Sequence, residues 1–242
     1  MTWDNWVFLY GMAQNTASLL AMSMGVLGFF AFNKLNTPYK LLCLNFIIAA
    51  VGEAIGWGVY VFKWFTIPNL NILNHFLIIS ESILIGSFFL SFVGSNLRRY
   101  TIILLISIIV GFDLFTVITQ SVSENTNLNS AVLSGLLCVA GLLAFYELST
   151  AKTFRRFSKQ PGMIVTSGYI VIYALLLFIY FILPLTIDYS QLLAVQLIIA
   201  KNIALSTFHI TVLYGIWLQY KQSNRFTPTA FPVLSPPPQE PN

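Results

Sequence analysis

"LLAVQLIIAKNIALSTFHITVLYGIWLQ", residues 192–219, is an almost uninterrupted apolar run that carries one ammonium, Lys201, near its middle and an imidazole, His209, two turns later. The hydrocarbon core of a bilayer, about 30 Å thick, is crossed by roughly 20 apolar helical residues, so this run can span it. Six more such runs precede it, over approximately 7–32, 39–62, 71–93, 100–119, 130–149 and 163–183. Charged residues make up 8% of the 242 positions and apolar ones 57%, whereas a soluble globular chain is about 25% charged. The expected fold is therefore all-α, a seven-transmembrane helix bundle over residues 1–219 embedded in a lipid bilayer. The opening MTWDNW holds no Lys or Arg, and no small-residue cleavage site follows the first run. It reads as a retained span and not as a secretory signal peptide.

The formal net charge of +4 does not point to nucleic acid, because the basic residues are scattered over short connections and not gathered on a soluble face. Connections 1–2, 3–4 and 5–6 and the tail hold Lys34, Lys40, Arg98, Arg99, Lys152, Arg155, Arg156, Lys159, Lys221 and Arg225, while the opposite side holds only Lys63. By the positive-inside rule the amino terminus is expected outside and the carboxyl terminus in the cytoplasm.

Turn chemistry separates the spans, as in NKLNTP, TIPNLN, SENTNLNS, SKQPG and PLTIDYS. Pro38, Pro68, Pro161 and Pro184 are expected at span edges, so no helix should lose a backbone donor in its interior. Residues 220–242, KQSNRFTPTAFPVLSPPPQEPN after Tyr220, read as a disordered proline-rich tail. Cys43 and Cys138 are the only cysteines, both within spans, and suit packing better than redox or metal chemistry.

Helices in lipid associate through close backbone approach at small residues and through polar side chains. Gln14, Ser18, Ala21, Gly25 and Gly28 form one stripe on the first span, and Asn45, Ala49, Gly52, Gly56 and Tyr60 another on the second. The third span offers Asn71, Asn74, Ile78 and Glu81 with His75 and Ser82 alongside, and the sixth aligns Tyr169, Tyr173 and Tyr180. These faces are expected to point into the bundle.

An ionised group near the bilayer centre costs about 3 kcal/mol or more, so it normally has a partner. Helical rise puts Glu81 and Lys201 about 15 Å below the outer surface, Glu53 and Asp113 about 10 Å below it, and His75 higher still. Lys201 is expected to be neutralised by one or more of Glu53, Glu81 and Asp113. Three carboxylates against one ammonium also leave at least one of them protonated near neutral pH. The candidate ligand- or proton-binding residues are therefore Glu53, Asn74, His75, Glu81, Asp113 and Lys201, with three roles open: structural glue, ligand or proton sensing, and transport. Glu147 is expected to reach water beside Lys152. His209, aligned with Asn202 and Ser206, reads as a hydrogen-bonded packing residue.

No enzyme chemistry is expected. The two histidines lie at opposite levels, HExxH and nucleophile-elbow patterns are missing, and Asp113 has no second intramembrane aspartate. No metal and no cofactor is expected either; Leu197 stands where a microbial rhodopsin carries an aspartate four residues before its lysine.

The stretch "VGEAIGWGVYVFKWFTIPNLNILNHFLIISESILIGSFF", residues 51–89, resembles uncharacterised multi-pass membrane proteins of Bacteroidetes-type bacteria, on Glu53, Asn71, Asn74 and Glu81. In topology the chain is similar to the seven-span sensor modules of bacterial histidine kinases, without a kinase domain. The resemblance implies a sensor that responds to a proton or small ligand and signals through a separate partner protein. A small-solute or proton-coupled transporter and a scaffold subunit of a membrane complex are the alternatives.

Overall fold

A computed structural model describes residues 3–60, 62–63, 71–119, 127–150 and 159–225. The described residues form seven long helices: α1 (Trp3–Ala31), α2 (Thr37–Tyr60), α3 (Asn71–Leu90), α4 (Asn96–Thr119), α5 (Asn127–Thr150), α6 (Pro161–Tyr189) and α7 (Gln191–Arg225). All seven are long and apolar enough to cross a membrane. A short 3-10 turn, Phe32–Lys34, follows α1. Lipid cannot satisfy backbone amides, so each crossing must bond its own backbone, which an unbroken helix does.

Two helix ends depart from expectation. The sixth helix does not stop at Pro184 but runs through it to Tyr189. Proline's fixed φ suits a helix, but it gives up the bond its missing N–H would have made to the Tyr180 carbonyl, and its ring crowds that carbonyl. The seventh helix continues past residue 219 to Arg225; the rest of the expected tail, residues 226–242, lies outside the described residues. Between these helices a single extended residue, Ser190, breaks the chain, and its Oγ accepts the Leu193 N–H at 3.3 Å to cap α7.

Helices consecutive in sequence run antiparallel, as bonds between opposite ends show: His75 to Asp113, Arg98 to Glu147, Gln222 to the Lys159 carbonyl. In sequence order α1 to α7 form a ring closed by α7 against α1, and α3 also packs on α5. Trp3, the C-terminal ends of α2, α4 and α6 and the N-terminal ends of α3, α5 and α7 thus lie at one face of the bundle, called here the amino face. The 3-10 turn, the C-terminal ends of α3 and α5, the N-terminal ends of α2, α4 and α6, and Arg225 lie at the carboxyl face.

The small-residue stripes do bring backbones together. A Cβ on Gly25 would stand 2.4 Å from the Ala50 Cβ and 2.9 Å from the Phe46 carbonyl oxygen, and one on Gly28 would stand 3.3 Å from the Cys43 Cβ. Only half of the Gly52-x-x-x-Gly56 motif is used: Gly52 meets Leu77 of α3, and Gly56 has nothing within 4 Å. Toward the carboxyl face an aromatic block fills the centre. Tyr169 lies 4.7 Å from Phe208 and 5.8 Å from Phe89 between ring centroids, and Phe88 and Phe92 continue the block. Outward-facing residues such as Phe30, Leu97, Ile118 and Val171 leave large apolar surfaces exposed, as helices facing hydrocarbon require.

Gly25→Ala is expected to destabilise the bundle by about 1–3 kcal/mol through overpacking against groups that cannot swing away, despite alanine's better helix propensity of about 1 kcal/mol. Gly56→Ala should be neutral or stabilising by about 0.5–1 kcal/mol. Thermal unfolding of the two variants in the same detergent reads the difference.

Candidate functional site

The helix bounds place the ionisable residues at the expected levels. Counted inward from the amino-face helix ends, Glu81 and Lys201 lie about 15 Å deep, Glu53 and Asp113 about 10 Å, and His75 about 6 Å. They do not gather into one cluster, however. Each carboxylate has found a separate partner.

Asp113 of α4 is buried among α3, α4 and α5. Its Oδ1 accepts from His75 Nδ1 at 2.9 Å and from Asn129 Nδ2 at 2.7 Å. The carboxylate acts as acceptor, so His75 presents an Nδ1–H. Thr116 extends the network by donating to Asn129 Oδ1 at 3.3 Å, while Asp113 Oδ2 has no partner among the described residues. Here three helices are tied by polar bonds in a place where water cannot substitute.

Glu53 of α2 is held differently. Its Oε2 accepts from Ser18 Oγ of α1 at 2.7 Å. It lines a cavity of about 510 Å³ between α1, α2 and α3, together with Gln14, Asn71 and Asn74.

Glu81 and Lys201 line a second cavity, of about 330 Å³, walled by α3, α5, α6 and α7. Glu81 Oε1 accepts from the Tyr173 hydroxyl of α6 at 2.8 Å. Lys201 Nζ stands 5.6 Å from the centre of the Tyr180 ring, a cation–π contact worth about 0.5–2 kcal/mol. The two cavities share Asn74 and Leu77 of α3 as a common wall.

The expected neutralising ion pair is not formed. Among the described residues the ion pairs within 4.0 Å are His75–Asp113 and Arg98–Glu147, and Lys201 is in neither. The pattern has a steric reason: Ser18, Tyr173 and His75 reach the carboxylates from helices packed directly alongside, whereas Lys201 lines the same cavity as Glu81 without pairing with it.

Two other expectations are corrected. Glu147 pairs with Arg98 of α4, whose guanidinium also lies 4.5 Å from the Tyr146 ring; Lys152 lies outside the described residues. His209 makes no bond through Nδ1 among the described residues and packs edge-on against Phe46 at 6.0 Å. Its supposed companion Asn202 bonds instead to Gln14 of α1 at 2.9 Å, and Ser206 turns back to the Asn202 carbonyl. The inward tyrosine stripe of α6 is confirmed, yet the roles of Tyr173 as donor to Glu81 and of Tyr180 beneath Lys201 were not legible in it. Asn129 was likewise missed, because SENTNLNS reads as turn chemistry alone.

No family model, curated protein or solved structure matches the chain. The site must therefore be argued from its own geometry.

Asp113→Ala is expected to destabilise by about 2–4 kcal/mol, because it strands the buried His75 and Asn129 donors. Glu147→Gln, at a pair that is part exposed, should cost about 0–1 kcal/mol. Denaturant titration in mixed micelles checks the ordering, which would reverse if the Asp113 network carried no structure.

Proposed function

We propose that this protein is a receptor-like membrane module, whose amino-face half takes a proton or a small polar ligand and passes the change to a separate partner through helix packing. One observation carries the reading. Glu81 and Lys201 line the same cavity without touching, whereas a pair kept purely as glue would close on itself. Occupation of that cavity by a charged or polar species alters the forces between α3 and α7, which carry the two groups. The aromatic block around Tyr169 and Phe208 closes the centre toward the carboxyl face. That arrangement suits the relay of a packing change better than passage of a solute.

The amino face is assigned to the outside. Lys34, Lys40, Arg98, Arg99, Lys159 and Lys221 all lie at the carboxyl face, which the positive-inside rule puts in the cytoplasm. The likeness in topology to the sensor modules of bacterial histidine kinases agrees with this arrangement and with a bacterial inner membrane. The signalling partner would then meet the carboxyl face.

A transporter is the second reading, favoured by Pro184. Its position in α6 leaves the Tyr180 carbonyl without a helical donor beside the cavity, and transporters use such irregular backbone near their sites.

Spin labels at Ser91→Cys, just past the end of α3, and Lys221→Cys on α7, in a Cys43→Ala/Cys138→Ala background in nanodiscs, test the receptor reading. The α3–α7 distance at the carboxyl face should change between mildly alkaline and mildly acidic pH, or on adding members of a panel of amino acids, carboxylates, amines and sugars. The change should be lost in Glu81→Gln. A distance that stays fixed under every condition sinks the reading, and uptake of a panel solute into proteoliposomes would put transport in its place.

A further inference from the structure

We infer that the cavity between α3, α5, α6 and α7 binds a small zwitterion of the α-amino-acid type, with its ammonium on Glu81 and its carboxylate on Lys201. The inference rests on the receptor reading only for the use made of the ligand, since the binding geometry stands apart from any signal.

The two charged groups each have one side occupied and one side open. Tyr173 takes Glu81 Oε1, and Oε2 accepts no hydrogen bond among the described residues. Lys201 has three N–H donors. None of them finds an acceptor among the described residues, and the ring of Tyr180 beneath the ammonium can offer only its π face. Both groups face one space of about 330 Å³, within the range of about 300–1,000 Å³ typical of small-molecule sites. Asn74 and Ser130 add neutral polar groups to its wall.

Charge then selects the ligand. A simple anion would satisfy Lys201 but meet Glu81, and a simple cation would satisfy Glu81 but meet Lys201. An uncharged polar solute would leave both without a countercharge in a low-dielectric bundle, where an unpaired charge is costly. A zwitterion matches both ends at once, through two charge-assisted hydrogen bonds. Being neutral overall, it adds no net charge to the membrane interior. Tyr173 fixes the orientation by holding the Glu81 carboxyl on the α6 side of the cavity.

The test is calorimetric binding to the full chain in nanodiscs, using the standard α-amino acids and glycine betaine, with propionate and ethylamine as single-charge counterparts of alanine. At least one zwitterion should bind saturably at millimolar concentration or below, and its single-charge counterparts should not. Glu81→Gln and Lys201→Gln should each weaken that binding by about tenfold or more, each having lost one charge-assisted contact. Glu147→Gln, at the carboxyl face and outside this cavity, should leave it within about threefold, a change under 1 kcal/mol. Matching size-exclusion profiles and melting curves show that the variants are folded. The inference is overturned if the single-charge counterparts bind as well as the zwitterion, if the Glu81 and Lys201 substitutions leave its affinity unchanged, or if no zwitterion in the panel binds. A zwitterion that binds without moving the α3–α7 label distance removes the receptor reading and leaves the site assignment standing. A sugar or other non-zwitterion that moves the labels does the reverse.

Discussion

Hydrocarbon gives a polar group nothing to bond to, and this constraint orders the bundle from its backbone to its cavities. Each helix satisfies its own amides, including α6, which absorbs Pro184 at the loss of one bond. Side chains that cannot satisfy themselves reach across to a neighbour: Ser18 to Glu53, Asn202 to Gln14, His75 and Asn129 to Asp113. Such contacts tie α1 to α2, α1 to α7, and α4 to both α3 and α5. They supply the specificity that apolar packing in lipid lacks. The glycines of α1 have the complementary role of letting α2 approach closely enough for these bonds to form.

Against that background Lys201 is the exception. Its ammonium has an aromatic ring and open space where every nearby carboxylate has a hydrogen-bond donor. A chain under pressure only for stability would replace such a lysine with a residue that packs, because a buried charge without a close partner is an expense. The cavity it shares with Glu81 gives the lysine a use. Polar walls lie toward the amino face and an aromatic block toward the carboxyl face. On the proposed reading this asymmetry suits a receptor better than a pore.

Much of the architecture was readable along the chain, because span length and hydropathy are properties of consecutive residues. The seven crossings, the inward stripe of Ser18, Ala21, Gly25 and Gly28, and the levels of Glu53, Glu81, Asp113 and Lys201 all follow from 3.6-residue periodicity and 1.5 Å of rise. Pro184 was misplaced for a local reason: a proline near a run's end marks a terminus on average, but α6 has enough apolar length beyond it to continue. Partner choice was a different matter. Depth alone brings four charged groups to one layer, yet their rotation about each helix axis decides which of them meet.

The sequence by itself determined that this is a seven-helix membrane protein with buried titratable groups in its amino-face half, because the thickness of the bilayer translates directly into run length. Only the tertiary structure decided that Asp113 belongs to His75 and Asn129, Glu53 to Ser18 and Glu81 to Tyr173, and that Lys201 and Glu81 line one cavity without pairing. Those pairings depend on the order of helices around the ring and on the azimuth of each one. Both are set by side-chain packing between segments far apart in the chain, which no local pattern encodes.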